Sequence, residues 1–387
     1  MKHFLITLLL LFSAAFLFSQ NLEDLDFGTD TTLEIMTWNM EWFPKEGQTT
    51  VDYVSAIIEA LEVDVIAVQE IDDYQAFVDM IEELEGWEGI ATNTGYLNLG
   101  YIYNPEFVQM ESILQILPGV SRELPRKPLV MEILFNESKY VLINNHLKCC
   151  GDGIMDSSDP WDEETRRYDA CVLIDTYIDE NFADENVIML GDLNDLITDD
   201  EANNVFQVFF DDPANYLFAD MAIAEGNSAN WSYPTWPSHL DHLLITSELF
   251  DEFDAAASVV TTLRIDDYLD NGWWEYEEYV SDHRPVAFKF VPQASSSVIN
   301  NPSNQASLNV YPNPVKDLAT LSFDPAGENA RLEIFDVHGK KLSTIALSKG
   351  QNMFVWDVKN LTPGLYSIRI TNDGKPSASQ KIIVSAE

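Results

Sequence analysis

The 387-residue sequence predicts an α/β (α+β) body followed by a small all-β sandwich. Three observations predict it. Across residues 33–291, short apolar runs of strand type alternate with segments whose apolar residues recur at helical spacing. Residues 292–307 are polar, rich in Ser, Asn and Gln, and read as a linker. Beyond them, residues 308–387 hold only short alternating runs separated by turn residues, the pattern of a β-sandwich. Hydrophobic residues make up 46% of the chain, so a core is available and a disordered chain is excluded.

The elements follow in order. Met1-Lys2-His3 is a short basic start and residues 4–18 are almost wholly apolar, with the small Ser19 before a cut. Residues 1–19 therefore read as a secretory signal peptide, and 20–32 as an N-terminal extension. No later stretch approaches the roughly 20 apolar residues of a membrane span. In the body, residues 33–38 form a strand, 51–61 a helix, 63–68 a buried strand and 74–84 a helix. Strands follow at 99–103, 130–135 and 140–145, then a helix at 166–181 and a strand at 187–190. Strands at 241–246 and 286–291 close the series. Such a mixture suggests layered sheets with helices outside. The segments 151–164 and 264–280 read as long, acidic, aromatic loops that can shape a cleft. In the tail, strands are expected at 308–311, 319–323, 331–335, 353–356, 365–370 and 381–384.

Charge is uneven. From residue 302 onward, 9 Lys+Arg face 8 Asp+Glu, whereas the preceding chain, without Lys2, holds 11 Lys+Arg against 57 Asp+Glu, a net of −46. That field argues against tight nucleic-acid binding through a basic patch. A bound metal can reverse it locally. Three cysteines, Cys149, Cys150 and Cys171, leave room for one bridge to Cys171 in an oxidising compartment and one free thiol, since neighbouring cysteines rarely bridge each other, the geometry being strained. No Cys-x-x-Cys pair suggests zinc.

Five polar islands sit at strand ends. Thr37-Trp38-Asn39-Met40-Glu41 and Gln69-Glu70 offer amide and carboxylate oxygens, hard ligands suited to Mg²⁺, Mn²⁺ or Ca²⁺. Asn144-Asn145-His146-Leu147-Lys148 offers donors for a phosphoryl oxygen. Gly191-Asp192-Leu193-Asn194 places an acceptor and an amide two residues apart, able to align a water, or equally to close an Asx-turn. Asp241-His242 and Ser281-Asp282-His283-Arg284-Pro285 complete the set. On extended backbone Asp282 and His283 point to opposite sides, one to a metal and one to substrate, with Asp241 setting the His283 tautomer.

In this order the islands resemble the endonuclease/exonuclease/phosphatase superfamily, which includes deoxyribonuclease I. The resemblance covers residues 33–291 and rests most on Gly191-Asp-Leu-Asn194 and Ser281-Asp-His-Arg-Pro285. It implies a four-layered α/β sandwich of the deoxyribonuclease I-like type with its site at one rim. It implies that Asn39, Glu70 and Asp282 hold the metal, Mg²⁺ or else Mn²⁺ or Ca²⁺. Asp192 would orient or deprotonate water, Asn194 bind phosphate, His146 and His283 steady phosphoryl oxygens, and Asp241 support His283. Tyr96, Lys148 and Arg166 are candidate substrate contacts, although the arginine of that helix could equally be Arg167, or a solvated helix charge.

The tail, with Asn309-Val-Tyr-Pro-Asn-Pro314, Asp336-Val-His-Gly-Lys340 and Leu361-Thr-Pro-Gly-Leu-Tyr366, resembles the type A sorting domain of the type IX secretion system of Bacteroidetes. It implies export to the outer surface or beyond by that machinery. The expected protein is a secreted, monomeric, metal-dependent phosphodiesterase, first of all a nuclease. A phospholipid, sphingomyelin or small-substrate phosphoesterase is the alternative, and an inactive adhesion protein comes last.

Overall fold

Period-two alternation in the central strands sets the architecture. In β1 (Leu33–Phe43), Leu33 and Ile35 face one way while Met36, Trp38 and Met40 face the other, and all are buried. A strand buried on both faces needs a layer on each side. The computed structural model describes residues 21–292 and most of 308–384, apart from 312–314, 337–340, 373–374 and positions 317, 326, 328, 360 and 363. The expected signal peptide and nearly all of the expected linker lie outside the described residues. The chain divides into two compact units, one up to Ala294 and one from Ser295.

The first unit contains two six-stranded sheets. One has the order β11-β12-β1-β2-β4-β3, the other β5-β6-β7-β8-β10-β9. Their strands are β2 (Val65–Ile71), β3 (Glu88–Ala91), β4 (Asn98–Tyr103), β5 (Gln109–Gln115), β6 (Leu129–Phe135), β7 (Ser138–His146), β8 (Asn186–Asp192), β9 (Tyr216–Phe218), β10 (Asp241–Thr246), β11 (Val259–Thr262) and β12 (Val286–Phe290). β1 runs parallel to β2, and β7 to β8; the remaining pairs are antiparallel.

Three apolar clusters separate four layers. Between the sheets lie Ile35, Val65, Tyr101, Met131, Leu142, Ile188, Leu243 and Phe288. Helices α1 (Gln48–Leu61) and α2 (Tyr74–Glu83) cover the first sheet over Met36, Trp38 and Val68. Helix α3 (Glu163–Asn181) covers the second over Val141, Ile143 and Met189. Asp162 caps α3 by accepting the Thr165 N–H at 2.8 Å.

Every expected element of this unit is present within a few residues. The strands absent from the expectation are β3, β5, β9 and β11, which are the four sheet edges. An edge strand is short or half-exposed, so its apolar alternation is weak. One loop expectation needs correction. Residues 264–280 are mostly helical, with a 3-10 turn at Ile265–Tyr268 and a helix at Trp273–Tyr279. There Tyr276 is buried, its hydroxyl accepting from Trp38 Nε1 at 3.0 Å and donating to the His283 carbonyl at 2.9 Å. The stretch thus packs the core, and of its two tryptophans only Trp274 is exposed.

The second unit has β13 (Leu308–Tyr311), β14 (Leu318–Phe323), β15 (Arg331–Asp336), β16 (Lys341–Ala346), β17 (Met353–Asp357), β18 (Gly364–Asn372) and β19 (Lys375–Val384). They form sheets β13-β14-β17 and β16-β15-β18-β19 around Leu321, Leu332, Trp356 and Ile368. The unexpected β16 is again an edge.

Candidate active site

The site is what the inter-sheet face becomes when it reaches the rim. On β1 that face runs Leu33, Ile35, Thr37, Asn39; on β2, Val65, Ala67, Gln69; on β7, Leu142, Asn144, His146; on β8, Ile188, Leu190, Asp192. Apolar residues give way first to neutral polar ones. Gln69 Nε2 donates to Asn144 Oδ1 at 2.8 Å, and Asn144 Nδ2 donates to the Val68 and Gly100 carbonyls at 3.0 and 2.9 Å. The following position on three strands is Asn39, His146 and Asp192. Asp241 joins them, directly opposite Asp192 in the β8–β10 register. A satisfied amide layer thus separates the apolar core from the reactive one.

Glu70 arrives by an irregularity. The β1–β2 and β2–β4 registers both shift beside it, and its φ is +63°. A bulge re-aims a side chain that strict alternation would send elsewhere. Its Oε2 accepts the Trp42 N–H at 3.1 Å and its Oε1 lies 3.7 Å from His146 Nε2. Asp192 is the hub. Its Oδ2 accepts from Asn39 Nδ2 at 2.9 Å, lies 3.5 Å from His146 Nε2 and lies 3.9 Å from His283 Nε2. Its Oδ1 accepts the Asn194 N–H at 3.0 Å, so the Asx-turn is real and coexists with the cluster. Asn194, at φ +55°, has already left the strand, and its Nδ2 lies 3.4 Å from the Leu147 carbonyl.

His283 Nδ1 meets Asp241 Oδ2 at 2.7 Å, the expected pairing. The expected opposition of Asp282 and His283 does not occur. The backbone bends there instead of extending, Asp282 Oδ1 lies 3.9 Å from His283 Nε2, and both face the same cleft. Ser281 Oγ fixes the bend, donating to the Asn39 carbonyl at 2.6 Å and accepting the His283 N–H at 2.9 Å. Asp241, Asp282 and His283 stand at or before strand starts rather than ends, because β10 and β12 run antiparallel to their neighbours.

Lys148, Arg166 and Tyr96 stand outside this convergence. Lys148 Nζ donates to the Cys149 carbonyl at 2.7 Å, and Arg166 Nε donates to the Arg122 carbonyl at 2.7 Å beneath Trp161. Arg167 is a buried brace, its Nε on Asp195 at 2.8 Å. Tyr96 is exposed and packs edge-on against exposed Trp42, 5.7 Å between centroids. The expected bridge to Cys171 is absent: Cys171 is unpaired and fully buried on the inner face of α3.

One site residue, Arg126, escaped the sequence reading, and Glu41, quoted in the first island, received no role of its own there. Arg126 donates to the His146 and Leu147 carbonyls and adds positive charge near Glu70 and Asp192. Glu41 accepts the Asp282 N–H at 2.8 Å and pairs with Lys45. Only the position of Arg126 just before the expected strand 130–135 hinted at it.

Electrostatics give the two histidines different states. Burial, reinforced by Arg126, holds His146 well below the ordinary imidazole range. Burial would also depress His283, but Asp241, Asp192 and Asp282 outweigh it and raise His283 well above that range. The surroundings thus favour the neutral imidazole at His146 and the charged form at His283. Burial, with help from Asp241, pushes Asp192 up to about 6 against the pull of His283 and Asn39. Burial likewise raises Glu70, Asp282 and Glu41. Of these four carboxylates only Glu41 meets a lysine or arginine side chain in an ion pair among the described residues. Hard oxygens, partly buried and short of positive charge, suit a divalent cation.

Twin α/β layers with carboxylates, amides and imidazoles gathered at one rim define a hydrolase site. The chain belongs to the Endonuclease/Exonuclease/phosphatase family, whose model matches residues 36–283, and so is a divalent-metal-dependent enzyme acting on phosphoric esters. Residues 309–385 match the secretion system C-terminal sorting domain, which directs type IX secretion to the cell surface or beyond. No curated protein matches the chain. Among solved structures, D. rerio TDP2 complexed with single strand DNA product is similar over 67% of this chain and 99% of that one, at 17% identity and TM-score 0.51. An endonuclease/exonuclease/phosphatase from Bacteroides vulgatus is similar over 68% of this chain and 100% of its own, at 13% identity and TM-score 0.47. The human Nocturnin catalytic domain with bound sulfate covers 67% of this chain and 94% of its own, at 15% and 0.48. At such identities the likeness is one of fold. No described helix is long and apolar enough to cross a membrane.

Proposed function

We propose that the body is an extracellular nuclease, with Asp192 at the centre of its chemistry. The observation that carries this reading is the convergence on Asp192 of Asn39, His146 and His283, with Asn194 on its second oxygen. Asn39, Glu70 and Asp282 would hold Mg²⁺ or Mn²⁺. When bound, the metal supplies positive charge to a non-bridging phosphoryl oxygen. Asp192 aligns the attacking water and accepts its proton. The His283 imidazolium, fixed through Nδ1 by Asp241, directs its Nε2–H at the phosphoryl oxygens as negative charge grows. Neutral His146 and the Asn194 amide complete the phosphoryl cradle. Positioning and electrostatics carry the rate, as phosphoryl transfer requires.

The rim favours unpaired strands. Trp42 and Tyr96 are exposed beside Glu70. On the other side, Trp236 is exposed in a short hairpin whose Tyr233 ring lies 4.8 Å from that of His283. Aromatic faces stack bases without a basic track, which suits a surface carrying −46. The test is digestion of single-stranded DNA, duplex DNA and RNA with Mg²⁺ or Mn²⁺, with and without chelator. Metal-dependent cleavage, fastest on single strands, is expected; nucleic acid intact under every metal discards the nuclease reading. The acidic body favours one second reading, a neutral-headed substrate such as sphingomyelin, for which choline release from liposomes is the assay.

A further inference from the structure

We propose that Cys149 and Cys150 are a redox modification site, closing on each other as a vicinal disulfide in the exported protein. The two Sγ atoms lie 2.9 Å apart, closer than unbonded sulfurs normally rest. Cys150 is exposed and Cys149 half-buried, whereas the third cysteine is sealed in the core and offers neither a partner.

The loop holds the thiols together. Bridging adjacent cysteines strains the backbone, and the loop is already turned tightly there: Cys150 sits in the left-handed region at φ +71°, followed by Gly151 at φ +119°, which glycine adopts freely. Arg167 Nη1 clamps the loop by donating to the carbonyls of both Lys148 and Cys150 at 2.7 Å. Gly151 lies so close to the Glu164 carboxylate that a Cβ there would meet Oε1 at 2.1 Å. Glu164 in turn accepts the Gly153 N–H at 2.8 Å and pairs with Arg167 at 3.3 Å. This frame fixes the backbone of the loop, so the sulfurs part only by turning about their own side-chain torsions.

The chemistry is thiol–disulfide exchange with an external disulfide. The accessible Cys150 thiolate attacks one sulfur of that disulfide and expels the first thiol. The Cys149 thiolate then attacks Cys150 Sγ and expels the second. One protein S–S bond forms and the external S–S bond breaks. The cysteines lose two electrons, and their two protons pass to the departing thiolates. Because the strained bond is easily reduced, mild thiol reverses it.

The test treats the full chain with oxidised glutathione, unfolds it in denaturant containing the alkylating agent, digests it and weighs the fragments. A 149–150 peptide lighter than the reduced form by about 2 Da, with Cys171 alkylated and no glutathione attached, is expected. Cys149→Ser should instead keep a glutathione adduct of about 305 Da on Cys150, since the resolving thiol is gone. Wild-type protein that retains the adduct, leaves both thiols alkylated or links either to Cys171 overturns the proposal. The wild-type masses decide the matter even if the variant does not fold.

Discussion

The first unit contains two buried clusters of histidine and aspartate, and they are built to opposite ends. In one, Asp220 meets His242 Nδ1 at 2.6 Å and His239 Nε2 at 3.1 Å, while His242 Nε2 meets the Asp195 carbonyl at 2.9 Å and His239 Nδ1 accepts the Ser232 N–H at 3.2 Å. In this cluster three of the four ring nitrogens are hydrogen-bonded, and the fourth, His239 Nε2, faces Asp220 at ion-pair distance outside hydrogen-bond geometry. Burial works against the Asp220 charge, yet His242 and His239 hold that carboxyl below the usual range. Around Asp192 the balance reverses. Carboxylates outnumber cations, and burial pushes Asp192 up to about 6. The two hubs, Asp192 and Asp220, are both buried, so burial of the hub does not distinguish them. The difference is closure: a matched cluster stabilises the fold, and a mismatched one awaits a ligand.

Substitution at each hub is the sharpest way to break this contrast. Asp192→Asn should lower turnover of a bis-aryl phosphate by roughly 10²–10⁴-fold while the melting temperature holds or rises, because a disfavoured buried charge is gone. Full activity in that variant removes Asp192 from the centre of the site. Asp220→Asn should do the opposite, stranding a buried imidazolium at a cost of about 3–5 kcal/mol, a fall in melting temperature of roughly 6–20 °C. A thermal melt with the activity of the folded fraction unchanged would bear this out.

Stability against pH should carry opposite signs at the two hubs. The folded pKa of Asp192 lies above its unfolded value, so in chelator its penalty is absent below about pH 4. It grows as pH rises and levels off above about pH 6. Asp220 is depressed, so its stabilisation is complete above its unfolded pKa and is lost as pH falls through the lower folded one. Denaturant unfolding of wild type against each variant, across pH, reads both slopes; parallel slopes would erase the distinction. Smaller effects belong to the rim. Trp42→Ala should raise KM for single-stranded substrate by roughly five- to a hundredfold and leave a small aryl phosphate untouched. Arg166→Ala, on a side chain turned toward Arg122 and Trp161, should change stability by about 0.5 kcal/mol or less and leave cleavage rates alone.

Period-two and helical spacing determined by themselves the central strands, the three long helices and the division into two units, because full burial forces a dense, regular apolar pattern. The order of Asn39, Glu70, His146, Asp192, Asp241 and His283 determined the family in the same direct way. The edge strands β3, β5, β9, β11 and β16 were illegible, since half-exposed strands are free of that constraint. Only the tertiary structure decided which polar side chains meet. It bulged β2 to swing Glu70 inward, bent residues 282–283 so that both face one cleft, and brought Arg126 behind His146. It also turned Lys148 and Arg166 away, sealed Cys171 in the core and set Cys149 against Cys150. These are matters of register, bulge and backbone direction. They depend on contacts between residues far apart in the chain, which no local pattern encodes.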